Sequence, residues 1–332
     1  MRASIERFGT GFVRAGNWVF GTGLRDADPN SLFQRMSVQL REAGSSLSRV
    51  ARLDQYYPEA GCVPPYHAAR KQAFGPGQIA PSTSVIVSAL QHPDAQVDVQ
   101  VIAATDASGH VARPVNAGLN RPAASGYTPC LRVGDLVFVA GQLARDASGR
   151  LARHGTESEA EYLIEQRLAP ALQAAESSLE LVLKAQAYLS RPEDRAAFER
   201  VWTRAFDGRL PPTTVVGLQH PAFLTSEATV EINVLAAHRS ARERVRTVAA
   251  EVEARAFDDL LFVAGLEGAR MEDILEQARR VFAAAGTDLS NVARALVFHS
   301  EGTGTFTPGM PFTAVRVQAG LTVDLWGYAP RA

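Results

Sequence analysis

Apolar positions along the chain follow two spacings, and the same succession of spacings occurs three times. Residues 40–50, 172–182 and 282–292 align with one another. Before the second and third of these segments, apolar residues recur every four positions, as on one face of a helix. The residues after each segment are apolar and β-branched, which is typical of a buried strand. The repeated unit is therefore a helix followed by a strand.

Each of these units is flanked by pairs of strands. A Gly-Asn, Gly-Asp or Asp-Asp turn joins two apolar runs before each helix, which indicates a tight antiparallel hairpin. A second helix is predicted at 65–74 and 192–206, whereas the third copy has a loop with glycines and a proline at 300–308. The hairpins span 14–23, 132–141 and 256–265, and the later strand pairs span 81–87 with 97–102, 211–216 with 230–235, and 311–317 with 323–326.

The complete copy runs strand, strand, helix, strand, helix, strand, strand. This order predicts an α/β (α+β) fold in which two helices cover one face of a mixed sheet. The chain divides into a first repeat at 1–104, a linker at 105–124, a complete second repeat at 125–238, a linker at 239–250 and a shortened third repeat at 251–332. The arginine-rich second linker is predicted to be a solvated helix or coil.

Composition then excludes several classes of protein. The 332 residues are 46% apolar and 21% charged, and a formal net charge of -1 gives no excess for binding a nucleic acid backbone. The longest apolar runs, such as 260–266, are too short for a membrane helix, and no signal peptide is recognised, so we expect a cytoplasmic protein. Cys62 and Cys130 are not a Cys-x-x-Cys pair, and no clustered metal-ligand pattern occurs, so no metal or cofactor is expected.

The second copy resembles the reactive intermediate deaminases of YjgF type, the Rid family. Ser125-Gly-Tyr127 is similar to the family's Gly-Pro-Tyr opening, Leu136-Val-Phe-Val-Ala-Gly-Gln142 to its signature strand, and Val230-Glu-Ile-Asn-Val234 to its closing strand. The resemblance implies a chorismate-mutase-like fold, which in this family forms homotrimers with ligand clefts between subunits. Three copies in one chain would then form an intramolecular pseudo-trimer, with further self-association of such units also open.

The resemblance also implies site residues. A family glutamate that positions water matches Glu231, and a cleft tyrosine matches Tyr127, so these two are the catalytic candidates. The family arginine that holds a substrate carboxylate is absent, and we place its position at Thr83, Thr213 and Thr313. The substrate-binding candidates are Gly141, Thr213, Thr214 and Glu199, of which Glu199 replaces a family asparagine, and the equivalent positions in the other copies are Asp98, Thr83, Asp324 and Thr313.

Residue chemistry leaves three functions open. A carboxylate in mid-strand beside apolar neighbours, such as Glu231, has a raised pKa and can act as a general acid or base near neutral pH. The leading hypothesis is hydrolysis of an imine or enamine of a small-molecule substrate. A chorismatase-like reaction on an unsaturated metabolite is the related alternative. The absent arginine favours instead a non-catalytic scaffold that binds a small ligand or a protein partner, in which Glu231 is an ordinary strand residue.

Overall fold

The computed structural model of the protein describes residues 5–75, 79–119, 126–248, 252–301, 310 and 312–330. Ser125 and most of the predicted loop at 300–308 lie outside these ranges. Among the described residues, no helix combines the length and the apolar character that a membrane crossing requires.

The first repeat begins with a three-stranded meander, which is followed in the sequence by a helix and then by the other strands of the sheet. Asp28 caps the N-terminus of this helix, because its carboxylate accepts hydrogen bonds from the N–H groups of Asn30 and Ser31 at 3.1 and 3.2 Å. The elements are β1 (Glu6–Phe8), β2 (Phe12–Ala15), β3 (Trp18–Asp26), α1 (Pro29–Glu42), β4 (Val50–Tyr57), α2 (Val63–Phe74), β5 (Ser82–Ile86), β6 (Ala89–Leu90) and β7 (Val97–Ala104).

The second repeat has the same order of elements, but its first helix is interrupted. A π-helical turn at Ile164–Leu168 separates α3 from α4. The elements are β8 (Ala112–Pro114), β9 (Cys130–Val133), β10 (Leu136–Gln142), α3 (Thr156–Leu163), α4 (Ala169–Ala174), β11 (Val182–Leu189), α5 (Arg195–Ala205), β12 (Thr213–Gly217) and β13 (Val230–Ala237).

The third repeat has a single described helix, which buries Ile274, Ala278 and Phe282 as their spacing predicts. Its elements are β14 (Val245–Val248), β15 (Ala254–Phe257), β16 (Leu260–Glu267), α6 (Met271–Ala284), β17 (Val292–His299), β18 (Phe312–Arg316) and β19 (Leu321–Tyr328). Apart from β6 of the first repeat, the described strands of the three repeats therefore follow one order.

Each repeat builds one mixed sheet. The strand orders are β1-β2-β3-β7-β4-β5, β8-β9-β10-β13-β11-β12 and β14-β15-β16-β19-β17-β18-β6. Only the pairs β4 with β5, β11 with β12 and β17 with β18 are parallel among the described ladders. The α/β (α+β) fold with a mixed sheet is therefore confirmed.

The predicted linkers contribute strands to these sheets. Strand β14 pairs with β15, so the description of the second linker as a solvated helix or coil is wrong for its last residues, although Arg239–Arg244 does form a 3₁₀ helix. Strand β8 likewise pairs with β9 as an edge of the second sheet. The sequence did not indicate β14 as a strand, because its two central side chains, Arg246 and Thr247, are both polar and exposed.

The helices lie outside and the sheets face one another. Phe20, Phe138 and Phe262 occupy equivalent sheet positions and belong to one buried cluster with Trp18 and Trp326. A second shared cluster contains residues at another set of equivalent positions, namely Tyr56, Tyr188 and Phe298. Apolar burial between the repeats therefore gives the chain one common interior, which is the arrangement that an intramolecular pseudo-trimer requires.

Candidate functional site

Each junction between repeats brings the edge strand of one sheet against the bulged strand of the next. We call these junctions cleft A, between β5 and β10, cleft B, between β12 and β16, and cleft C, between β18 and β3. The bulges fall at Val139/Gln142 in β10, Val263/Leu266 in β16 and Gly21/Leu24 in β3. A bulge re-aims the side chains beside it, so each junction is a place where a pocket can form.

Cleft A contains the buried carboxyl group of Glu231, which is 6% exposed. A Cβ atom placed on Gly141 would lie only 1.8 Å from Oε1 of Glu231, so the carboxyl group fills the space that glycine leaves open. Burial raises the pKa of Glu231 to about 8, against the opposing effect of the Ser84 N–H that donates to it. Glu231 therefore carries a proton at neutral pH.

Tyr127 lines the same cleft and ties the two repeats together. It forms a parallel β-bridge with Ile79, and the N–H of Thr128 donates to the Ile79 carbonyl at 2.9 Å. Burial raises the pKa of the Tyr127 phenol, and nearby Glu231 adds to this effect. Glu231, Tyr127 and Gly141, which were all predicted from the sequence, thus meet in one cleft.

Three basic side chains in cleft A were missed in the sequence. Arg145 and Arg167 line it from the second repeat, and His67 lines it from α2 of the first. Nη2 of Arg167 donates to Oε1 of Gln142 at 2.9 Å, and Nη1 donates to the Arg145 carbonyl at 3.1 Å. A signal for Arg167 was available, because it lies three residues after the buried Ile164 and therefore on the buried helix face.

His67 is held in its neutral form. Burial lowers its pKa to about 3, and the positive charges of Arg70 and Lys71 add to this effect. At neutral pH the imidazole therefore brings no charge to cleft A.

The other wall of cleft A is apolar. Phe223 and Leu224 come from the segment after β12, and that segment is anchored to the first repeat by the N–H of Ile86, which donates to the Ala222 carbonyl at 2.8 Å. The cavity measures about 90 Å³. This is smaller than the roughly 150 Å³ that accommodates a benzene ring, so the cleft as it stands suits a compact acyclic molecule.

The register of the sheets corrects one predicted equivalence. Glu231 is paired with Tyr188 and Asp98 with Tyr56, whereas the corresponding Phe298 in the third repeat is paired with Thr322. The prediction that Asp324 is equivalent to Glu231 is therefore wrong by two residues. Asp324 is paired with Leu296, Asn233 with Gln186 and Gln100 with Asp54. Because these three partners are equivalent, Asp324 corresponds to Asn233 and Gln100.

The position of the missing arginine needs a similar correction. Thr83, Thr214 and Thr313 are opposite equivalent residues of the neighbouring parallel strands, so Thr214 and not Thr213 is the second-repeat counterpart. Thr213 instead accepts a hydrogen bond from the Trp202 indole at 3.0 Å. No arginine occupies any of these three positions.

Several predicted substrate-binding residues lie away from Glu231. Thr214 accepts the Gly265 N–H at 3.1 Å and donates to Asp324 at 2.9 Å, which places it at cleft B. Glu199 is half exposed and pairs with Arg195, which also lines cleft B. In cleft C, Thr313 donates to Asp98 at 3.1 Å and accepts the Gly23 N–H at 2.8 Å.

The three clefts therefore differ chemically. Cleft B has Thr322 at the position of Glu231, and cleft C has Asp98, whose pKa burial raises to about 7. In cleft A the corresponding threonine, Thr83, accepts from Arg52 at 2.9 Å and from Asn233 at 3.1 Å. Among the described residues, the glutamate, the tyrosine and two arginines are combined only in cleft A.

A layer of buried charges lies beneath the clefts, between the two shared apolar clusters. Asp54 accepts from Arg52 at 2.8 Å and from Arg294 at 2.6 Å, and Lys184 pairs with Asp324. Arg52, Lys184 and Arg294 occupy equivalent positions of the central strands. The Arg294–Asp54 and Lys184–Asp324 pairs cross between repeats, so they fix the relative placement of the cleft walls.

Comparison with known proteins finds a family match in the middle of the chain. The family model described as endoribonuclease L-PSP matches residues 118–238. Protein HMF1 of Saccharomyces cerevisiae is 28% identical over 117 residues, which cover 35% of this chain and 88% of the relative. The mitochondrial protein MMF1 of the same yeast is 25% identical over 127 residues, which cover 38% of this chain and 85% of the relative. Because one relative is named as mitochondrial, the cytoplasmic location stays a prediction.

Solved structures show how far the fold likeness extends. A chorismatase crystal structure covers 70% of this chain and 80% of its own with a TM-score of 0.54, although only 18% of residues are identical. The fold of more than one repeat is therefore shared with a known protein, while the family match rests on the second repeat. Residues 118–238 therefore match the family described as endoribonuclease L-PSP, which is also called YjgF or Rid.

Proposed function

We propose that this protein hydrolyses a small imine or enamine in cleft A, with Glu231 as the proton-transfer group. The observation that carries the proposal is the carboxyl group of Glu231, buried against Gly141 and protonated at neutral pH. A group whose pKa lies near the working pH can both give and take a proton during one turnover.

The reaction balances with water as the only co-reactant. Glu231 donates its proton to the imine nitrogen, which makes the carbon electrophilic. The resulting carboxylate removes a proton from the water that adds to this carbon, so Glu231 is protonated again. Collapse of the carbinolamine breaks the C–N bond, transfers the hydroxyl proton to nitrogen and releases ammonia and a carbonyl compound.

The surroundings of Glu231 support this use. Tyr127 lines the cleft beside it and can donate a hydrogen bond to the added oxygen, while Phe223 and Leu224 give the cleft an apolar wall. His67, which lines the same cleft, is a neutral imidazole at neutral pH and therefore adds no charge beside Glu231.

The test measures ammonia and carbonyl product from a panel of freshly generated imines, with wild type and Glu231→Gln. We expect turnover that Glu231→Gln lowers by at least about 100-fold, since general acid–base catalysis contributes about that much. Asp98→Asn is the matched control, because Asp98 holds the equivalent position in cleft C. Equal loss in both variants would count against cleft A, and absence of turnover on every imine would leave binding without catalysis as the function.

A second candidate is a chorismatase-like reaction. The favouring observation is the fold shared with a chorismatase over 70% of this chain, beyond a single repeat. The cavity of about 90 Å³ ranks this candidate second, because a cyclic substrate would require the segment with Phe223 and Leu224 to move outward. Incubation with chorismate, followed by chromatography of the products, tests it directly. Consumption of chorismate that survives Glu231→Gln would place the reaction outside cleft A.

A further inference from the structure

The glycines at the three bulges differ in backbone conformation. Gly23 in cleft C and Gly265 in cleft B have φ angles of +62° and +66°, in the left-handed region, whereas Gly141 in cleft A lies outside that region. The N–H groups of Gly23 and Gly265 donate to a threonine hydroxyl across the cleft at 2.8 and 3.1 Å. Because φ sets the orientation of the peptide group before a residue, the Ala140–Gly141 peptide is turned relative to its two counterparts.

A glutamine side chain holds the turned peptide of cleft A. Nε2 of Gln142 donates to the Ala140 carbonyl at 3.1 Å, and its Oε1 accepts from Nη2 of Arg167 at 2.9 Å. Gln142 is 1% exposed, so both hydrogen bonds are sheltered from water. A carbonyl only accepts and a guanidinium only donates, so the two partners also fix which way round the amide group lies.

The other two bulges have leucine in place of this glutamine. Leu24 follows Gly23 in cleft C, and Leu266 follows Gly265 in cleft B. A leucine side chain has no group that can bond a backbone carbonyl, and in both clefts the glycine is left-handed. Among the three described bulges, the glutamine and the turned peptide therefore occur together.

The orientation of this peptide matters because Glu231 packs against it. A Cβ atom on Gly141 would lie 1.8 Å from Oε1 of Glu231 and 3.2 Å from Oγ1 of Thr83. The backbone of Gly141 thus forms one side of the space that the carboxyl group fills. Turning the peptide to the conformation found in clefts B and C would direct the Gly141 N–H toward Thr83 and would reshape that space.

We propose that Gln142 is a positioning residue, which holds the Ala140–Gly141 peptide in the orientation that gives the Glu231 carboxyl group its place in cleft A. Gln142 acts through the backbone of its neighbours, and Arg167 supports it from the π-helical turn. The inference rests on the proposed function for the use of Glu231 in the reaction, but the placement of the carboxyl group can be measured without a substrate.

The first experiment is a titration of Glu231 in the full chain. Carbon NMR of protein labelled at the glutamate carboxyl carbons follows the group, and Glu231→Gln identifies its resonance. Burial is the main cause of the raised pKa of about 8, while Arg145 and Arg52 oppose it and Asp54 adds to it. Gln142→Leu keeps these charges but disturbs the buried place, so it should lower the midpoint by at least about one pH unit. An unchanged midpoint would overturn the inference.

Two further variants separate positioning from general loosening of the fold. Gln142→Met has nearly the length of glutamine without its amide group, and it should lower the Glu231 midpoint as Gln142→Leu does. Leu266→Ala is the matched control, because it disturbs the equivalent position in cleft B and should leave the midpoint unchanged. An equal fall in Leu266→Ala would refute a specific role of Gln142.

A crystal structure of Gln142→Leu tests the backbone directly. We expect Gly141 to take a positive φ there, as Gly23 and Gly265 do, with its N–H directed toward Thr83. A Gly141 that keeps its wild-type conformation in this variant would show that the glutamine does not hold the peptide.

Kinetics give a third readout. In imine hydrolysis, Gln142→Leu should lower kcat by about 100-fold, since a misplacement of about 1 Å in a reacting group has that effect, and KM should change much less. The pH at which kcat/KM falls should move down together with the NMR midpoint of Glu231. A higher KM with unchanged kcat would show that Gln142 contributes to binding alone, which would overturn the positioning role.

The outcomes also separate the inference from the proposed function. Imine turnover that depends on Glu231 but survives Gln142→Leu would overturn the positioning role and leave the hydrolase proposal intact. A Glu231 midpoint that depends on Gln142, without turnover of any imine, would overturn the hydrolase proposal and leave the positioning role intact.

Discussion

Replacement of Gly141 by alanine tests the position of Glu231. The backbone of Gly141 is not in the left-handed region, so alanine itself is tolerated there and the effect is steric. The added Cβ would lie 1.8 Å from Oε1 of Glu231, 2.8 Å from its Cδ and 3.2 Å from Oγ1 of Thr83. Carbon and oxygen in ordinary contact are more than 3 Å apart, so the carboxyl group must move by more than about 1 Å.

The magnitude follows from this displacement. A misplacement of about 1 Å in a reacting group costs about 100-fold in rate, and added volume in a packed site costs about 1–3 kcal/mol of unfolding free energy. We therefore expect Gly141→Ala to lower kcat/KM for imine hydrolysis about 100-fold while the protein still folds. Ammonia release gives the first quantity, and urea unfolding followed by circular dichroism gives the second.

A double-mutant cycle provides the control. Because alanine acts through the carboxyl group of Glu231, Gly141→Ala should reduce activity much less when Glu231→Gln has already removed that group. Additive losses would show that Gly141 acts separately from Glu231. Wild-type activity in Gly141→Ala would refute the described position of the carboxyl group.

Three further predictions concern pH and buried charge. If protonated Glu231 is the acid of the first step, kcat/KM should fall as pH rises through about 8, and a rate that instead increases through this range would contradict the assignment. The pKa of Glu231 is higher in the folded protein than in the unfolded chain. Its contribution to the free energy of unfolding is therefore fully present below about pH 4.5 and is lost as pH rises through about 8. Urea unfolding of Glu231→Gln should not show this loss. Asp54→Asn should lower the unfolding free energy by about 3–5 kcal/mol, because it leaves the buried Arg52 and Arg294 without their shared carboxylate. A loss below about 1 kcal/mol in chemical denaturation would refute the importance of this ion pair.

The repeat was predictable because hydrophobic spacing and turn chemistry recur with it. The order of elements in the described parts of the three copies follows from these patterns, and the joint placement of Glu231, Tyr127 and Gly141 follows from the resemblance of the second copy. The equivalence of Asp324 was not predictable in this way. A slip of two residues keeps every side chain on the same face of a strand, so alternation cannot distinguish the two registers.

The arginines of cleft A were missed for a different reason. Arg145 follows β10 in a connecting segment, so no regular spacing predicts its direction. The spacing of Arg167 from Ile164 indicates the buried helix face, but it does not predict that the side chain reaches the cleft from a π-helical turn. Their convergence depends on hydrogen bonds to Gln142 and to the Arg145 carbonyl, which only the folded chain brings together.

The bonding of one threonine hydroxyl explains why cleft A can differ from its counterparts. At clefts B and C the hydroxyls of Thr214 and Thr313 accept the N–H of the bulge glycine, which ties the two walls together at the bottom of the cleft. At cleft A the hydroxyl of Thr83 accepts from Arg52 and Asn233, so it belongs to the central polar layer. When three clefts are encoded separately in one chain, such a change affects one cleft and leaves the interior that all three share intact. Cleft A therefore holds Glu231 beside Arg145 and Arg167, whereas cleft B has Thr322 and cleft C has Asp98 at the position of Glu231.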